Sequence, residues 1–113
     1  MGKLISEHQA IQLKLGEMVT RARAARLLTF DAAEAYDRGA RCDMEAGMAK
    51  YFASEAAVAN SEEGMRVFGG YSYSKEYDIE RLYRDAIFMC IAEGTNEMQR
   101  MIISKQWVKR NPA

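Results

Sequence analysis

The stretch Gly69–Arg100, GGYSYSKEYDIERLYRDAIFMCIAEGTNEMQR, decides how the chain is read. It opens on a glycine pair, crosses a tyrosine-rich segment, and runs through two helical patterns separated by Glu93-Gly94-Thr95. The apolar run Ile87-Phe88-Met89-Cys90-Ile91-Ala92 leads out of a packed interior and delivers the Glu93 carboxylate beside a glycine. Asn96 reads as the N-cap of the next helix, with Gln99 three residues on completing a capping box. A carboxylate at such a junction is either a solvated turn residue or a partly desolvated one whose raised pKa makes it a stronger base. Spacing alone does not choose between them.

Upstream, Ser6 with Gln9 forms a candidate capping box for a long first helix; the alternative is a start one turn earlier. Ile11, Leu15, Met18, Ala22, Ala25, Leu28, Ala32 and Tyr36 recur at three- and four-residue intervals and define its apolar face. Arg21, Arg23, Arg26 and Asp31 fall on other faces and read as solvated. Gly39 is a C-terminal stop. A second helix is expected from Asp43 to Phe68, with Met44, Met48, Phe52, Ala56 and Ala59 along one stripe and Val58, Met65 and Phe68 along its neighbour. Gly69-Gly70 ends it, as a C-cap, as a place of close backbone approach to a ligand, or as both.

Asp78 is placed to cap a third, shorter helix carrying Ile79, Leu82, Tyr83 and Ala86. Its charges, Glu80, Arg81, Arg84 and Asp85, read as structural pairing. The last helix is expected to turn Met98, Met101, Ile102 and Val108 inward. Lys105, Lys109 and Arg110 sit near its C-terminus, where the helix dipole favours cations. No strand pattern is persuasive. The expected fold is all-α, an antiparallel four-helix bundle over residues 1–113.

Composition agrees. The chain has 113 residues, enough for one domain with a single core. Its one proline, Pro112, leaves the helices uninterrupted. Formal net charge is zero, which gives no electrostatic signal for nucleic acid or an acidic membrane surface. Tyr71, Tyr73 and Tyr77 lack an accompanying basic patch and are expected to pack over the bundle end rather than stack on bases. No run approaches the roughly 20 apolar residues of a membrane span, and the N-terminus has no signal-peptide pattern. Two cysteines, Cys42 and Cys90, make neither a disulfide framework nor a metal site, and read as reduced thiols in a cytoplasmic protein. The lone histidine, His8, supports no metal cluster.

Three motifs stand in order: Gly69-Gly70-Tyr71-Ser72-Tyr73-Ser74-Lys75-Glu76-Tyr77, Glu80-Arg81-Leu82-Tyr83-Arg84-Asp85-Ala86, and Glu93-Gly94-Thr95-Asn96-Glu97-Met98-Gln99-Arg100. In order and spacing they resemble the C-terminal signature of the acyl-CoA dehydrogenases, and the likeness extends from Gly2 to about Val108. Members of that family have an N-terminal helical domain, a middle β domain and a C-terminal four-helix domain. The resemblance covers only the third. An arginine and a phenylalanine that precede Gly2-Lys3 in the family are missing, so an excised or truncated C-terminal domain is expected.

The resemblance implies FAD as cofactor, held in part by this domain. His8 and Gln9 align with a His-Gln pair at the start of the family's first helix. Arg66, Val67, Phe68, Gly69 and Gly70 align with a Gln-x-x-Gly-Gly segment that reaches the FAD of a neighbouring subunit, with Arg66 replacing the glutamine. Thr95, Asn96 and Glu97 align with the helix start that meets the cofactor. Glu93 aligns with the base that removes the α-proton of an acyl-CoA thioester, and Gly94 leaves room for that thioester. Ala92 stands where the family often has tyrosine. The implied partners are an acyl-CoA, an electron acceptor such as electron-transfer flavoprotein, and further copies of the chain as a dimer or tetramer. By itself the chain is expected to be inactive. The alternative is a non-catalytic helical oligomerisation module derived from this fold.

Overall fold

The computed structural model describes residues Gly2–Pro112; Met1 and Ala113 lie outside it. Four helices form an all-α bundle: α1, Gln9–Asp37; α2, Asp43–Phe68; α3, Ile79–Met89; α4, Asn96–Arg110. Short 3₁₀ turns span Ile5–Glu7 and Gly69–Tyr73. No strand occurs among the described residues.

The boundaries follow from local chemistry. Asp37 ends α1; Gly39 takes φ +70°, and the N–H groups of Gly39 and Ala40 close back onto Tyr36 O and Ala35 O. Asp43 starts α2, and Gly69 leaves it at φ +60°, a conformation that side chains resist. The N-terminus departs from the expected Ser6–Gln9 box. A 3₁₀ turn intervenes, with Glu7 Oε2 accepting from Leu4 N at 3.2 Å, and the capping residue of α1 is His8, whose carbonyl receives the Ile11 and Gln12 N–H groups.

α2 is the spine, and α1, α3 and α4 each pack antiparallel against it. Lys14 of α1 pairs with Glu63, and Asn60 Nδ2 donates to Met18 O at 2.9 Å. α3 crosses the C-terminal half of α2, where Gly64 lets Ile79 come close; a Cβ there would lie 2.7 Å from Ile79 Cδ1. α4 crosses the N-terminal half, where Gly47 receives Ile103. α3 and α4 therefore run one after the other along α2, like one helix interrupted at residues 90–95. The interruption carries the Glu93 turn.

The core is thin and built from small side chains. Its buried apolar residues are Ala35, Met44, Ala49, Ala56 and Ala86, joined by buried Ser54, Ser61, Asn96 and Gln106. Every fully buried side-chain nitrogen or oxygen among the described residues has a hydrogen-bond partner, as burial requires. Several expected core positions are not core. On α1, Leu15, Ala22 and Tyr36 are exposed, while Arg21 is half-buried, reaching Asn60 Oδ1 at 3.5 Å and Glu17 at 2.7 Å. On α4, Ile102 is partly covered, but Met98, Met101 and Val108 face outward and Asn96 and Gln106 face in. Asn96 wins its inner place because Lys50, Ser54 and Glu55 of α2 offer it partners.

The charged face of α3 pairs as expected: Arg84 with Glu80, and Arg81 with Asp78 and Asp85. Of the tyrosines, Tyr77 packs edge-on against Phe68 and Tyr71, with ring centroids 5.7 and 5.8 Å apart, whereas Tyr73 is 90% exposed. Cys42 and Cys90 are both free thiols. No helix among the described residues is long and apolar enough to cross a membrane.

Candidate functional site

The turn between α3 and α4 is built around an unusual backbone. Glu93 has φ +54°, the one non-glycine residue with positive φ among those described, and Gly94 follows at +86°. For a residue with a Cβ that conformation costs roughly 1–2 kcal/mol, so the surroundings must impose it.

They do so from three sides. The Asn96 N–H donates to Cys90 O at 3.0 Å, closing the turn. Lys50 Nζ, from α2, donates to Asn96 Oδ1 at 2.7 Å and to Cys90 O at 3.4 Å. Gln99 Nε2 reaches back to Glu93 O and Gly94 O, both at 3.4 Å. Asn96 is 3% exposed, and its amide nitrogen donates to Ser54 Oγ at 2.9 Å and Glu55 Oε1 at 2.8 Å.

Asn96 is therefore not the helix cap. Thr95 is, its hydroxyl accepting from Met98 N at 3.4 Å. Asn96 is the first residue inside α4, and its side chain ties the helix to α2. Gln99 does not complete a capping box with it, because its side chain holds the preceding turn instead.

Glu93 itself is exposed, and its N–H makes no hydrogen bond within the described residues. Its side chain lines the end of an open groove of about 850 Å³ between α2 and α4, with an apolar floor including Gly47 and Ile102 and a rim carrying Lys50, Lys105 and Lys109. The start of α4 is less open to anions than a bare helix N-terminus. The Glu97 carboxylate folds onto its own backbone N–H and the Thr95 hydroxyl, with Arg100 at 3.2 Å, and these contacts hold it below the usual carboxylate range. Such an end suits a neutral polar atom better than a phosphate.

The remaining candidate residues gather elsewhere. His8 and Gln9 are exposed at the start of α1, beside the C-terminal end of α2. There Ile5, Val67, Phe68, Tyr71 and Tyr77 line a small apolar cavity. Arg66 projects its guanidinium to Glu62 and Glu63, at 2.6 and 2.9 Å. An added Cβ at Gly69 or Gly70 would meet nothing within 4 Å. Gly69 has its backbone reason for being glycine; Gly70, lacking positive φ, has none among the described residues. Arg66 and Lys50 lie about 24 Å apart along α2. One chain thus carries two separate clusters: Glu93, Gly94, Thr95, Asn96 and Glu97 at the turn, and His8, Gln9 and Arg66 to Gly70 at the far end. Lys50, Ser54 and Glu55 escaped the sequence reading. Their one visible signal was polar side chains four and five residues apart on an alanine-rich helix.

The family profile for "Acyl-CoA dehydrogenase, C-terminal domain" matches residues 1–108. The chain belongs to that family. It is 52% identical over 104 residues to an acyl-CoA dehydrogenase of Bacillus subtilis, covering 92% of this chain and 27% of that protein. It is 48% identical over 105 residues to a 3-(aryl)acrylate reductase of Clostridium sporogenes, covering 93% and 28%. Among solved structures, butyryl-CoA dehydrogenase from Megasphaera elsdenii superimposes with a TM-score of 0.92 at 38% identity, covering 96% of this chain and 28% of that one. The FAD complex of PigA superimposes with a TM-score of 0.91 at 28% identity, covering 98% and 29%. The chain thus spans less than a third of each of these relatives.

Proposed function

We propose that this chain serves as the C-terminal domain of an FAD-dependent acyl-CoA dehydrogenase, with Glu93 as the base that removes the α-proton of an acyl-CoA thioester. The observation that carries the reading is the Glu93 backbone. A glutamate held at positive φ, its N–H without a partner among the described residues, stands on a turn fastened at both ends. Strain of this kind persists where the surrounding structure over-determines it, and gathers at working sites.

Each residue then has a role. The Glu93 carboxylate takes the α-proton at one of its oxygens. Its N–H donates to the thioester carbonyl and stabilises the charge that develops on that oxygen. Gly94 keeps the turn slim beside the thioester. FAD, when bound, supplies the acceptor for the hydride that leaves the β-carbon. The open surface over Gly69 and Gly70 fits a flat group at close approach, with His8, Gln9, Arg66, Val67 and Phe68 around it; Thr95 and Glu97 border the other cluster. The distance between the clusters accords with their meeting the cofactors of two different subunits. Hence the assembly is read as a homo-oligomer, a dimer or tetramer. Its electron acceptor is read as an electron-transfer flavoprotein; one similar relative is named as a subunit of a caffeyl-CoA reductase–Etf complex of Acetobacterium woodii.

In the flavoprotein that contains this domain, Glu93→Gln keeps size and hydrogen bonding but removes the base. Turnover is expected to fall by about 10²–10⁴ or more, with acyl-CoA binding retained. Near-normal turnover would place the base elsewhere. The alternative, a helical oligomerisation module without catalysis, predicts that Glu93→Gln changes nothing while the chain still self-associates.

A further inference from the structure

We propose that Lys50 is the positioning residue of the Glu93 turn. It lies on α2, outside all three motifs that identify the family, and has the geometry of a clamp. The turn begins where α3 ends, at Cys90, and finishes where α4 begins, at Asn96. The Lys50 ammonium touches both: Asn96 Oδ1 at 2.7 Å and Cys90 O at 3.4 Å. These two points are also joined directly, by the Asn96 N–H on Cys90 O at 3.0 Å. Ser54 and Glu55, one turn further along α2, receive the Asn96 amide nitrogen. The asparagine is thereby fixed at both ends of its amide, and the side-chain oxygen is oriented toward the cation.

The chemistry suits the task. The carbonyl at the end of a helix carries partial negative charge and attracts a cation. A lysine offers three donors on one nitrogen, enough to bridge two acceptors. Bonds to a charged donor are stronger than neutral ones. The clamp acts on the residues either side of Glu93 and makes no contact with its carboxylate. Removing it frees the six-residue connection to relax its positive φ at Glu93. The carboxylate and the unpartnered N–H would then leave their fixed relation to each other.

The geometric half of this inference stands without any assignment of activity; the catalytic half rests on the reading of Glu93 as base. Two measurements separate them. In the 113-residue chain, amide hydrogen exchange of Lys50→Met should show the Asn96 N–H exchanging about tenfold faster or more, with the interior of α1 little changed, as for a local opening. Lys50→Arg, which keeps the charge and the donors, should restore protection. Uniform acceleration throughout the chain, or none at Asn96, overturns the clamp. In the flavoprotein containing this domain, Lys50→Met should lower kcat about 10- to 100-fold, the scale of an ångström-sized misplacement, while KM changes little and Lys50→Arg recovers most of the loss. A clamp proven by exchange with unchanged kcat would leave the turn fastened by Lys50 but overturn its positioning of Glu93 for catalysis, while the base itself is read by Glu93→Gln. A parallel fall in kcat with exchange unchanged would give Lys50 a direct part in the site and overturn its positioning role.

Discussion

At Gly94 a side chain would be strained twice: φ is +86°, and an added Cβ would lie 2.9 Å from Gln99 Nε2, which holds the turn. Gly94→Ala is therefore expected to destabilise the chain by about 1–2 kcal/mol, the usual cost of a left-handed non-glycine residue. Gly70 offers the contrast, with no positive φ and nothing near its missing Cβ. Gly70→Ala should change the stability of the chain by no more than about 0.5 kcal/mol, yet weaken flavin retention when introduced into the flavoprotein. Urea melts of the chain and the flavin content of the purified holoenzyme read the two effects separately. A large loss of stability from Gly70→Ala would mean its glycine is structural after all. Both glycines were legible as special in the sequence, but a string of letters does not carry φ or the space around a missing atom. The same limit hid the role of Asn96. Its residue type and the Gln99 three residues on predict a cap, and Thr95, one position earlier, takes that task because α2 engages the asparagine first.

Helix limits proved easier to read than helix faces. Gly39, Asp43 and Gly69 are local signals, and α1 and α2 end and begin where those signals stand. Faces depend on what lies opposite. For α4 the apolar period pointed Met98, Met101 and Val108 inward, yet they are exposed. Periodicity detects an apolar face without saying whether this chain or something else covers it. What fastens the far end of α4 is polar: Arg110 grips Glu45 of α2 and also donates to Arg41 O at 2.9 Å. The hydrogen bond from Arg110 is the main reason the Glu45 carboxyl sits below the usual carboxylate range. Glu63 is lowered likewise, chiefly by its hydrogen bond from Lys14. A carboxylate whose pKa is depressed by folding stabilises the fold above its unfolded pKa, and loses that contribution as pH falls through the folded value. Stability should therefore hold steady at neutral pH and decline on acidification below the ordinary carboxylate range. Glu45→Gln should remove part of that acid sensitivity. Urea midpoints followed by circular dichroism across a pH series provide the check; a midpoint that rises on acidification would contradict the assignment.

The whole molecule is long and thin. Its principal extents are 59 × 27 × 25 Å and its radius of gyration is 17.4 Å, against roughly 13 Å for a compact domain of this length. Nearly all of its buried apolar residues are alanines, whereas Leu13, Val19, Phe88, Met101 and Val108 are more than 60% exposed. A chain that buries its small residues and exposes its large ones has the pattern of a layer within a larger assembly. The helices should still form in isolation, because the α2 contacts are complete within the chain. Flavin should not stay bound, since the two candidate clusters lie too far apart to surround one cofactor. Purified chain is therefore expected to be colourless, and a flavin absorbance band would count against the reading. Self-association should cover part of the apolar surface. Sedimentation should find a dimer or tetramer, and replacing outward residues with charge, as in Phe88→Glu with Met101→Glu, should shift it toward monomer without loss of helix content, because neither side chain belongs to the core. A chain that sediments as a monomer at high concentration would leave those faces to other domains rather than to a second copy.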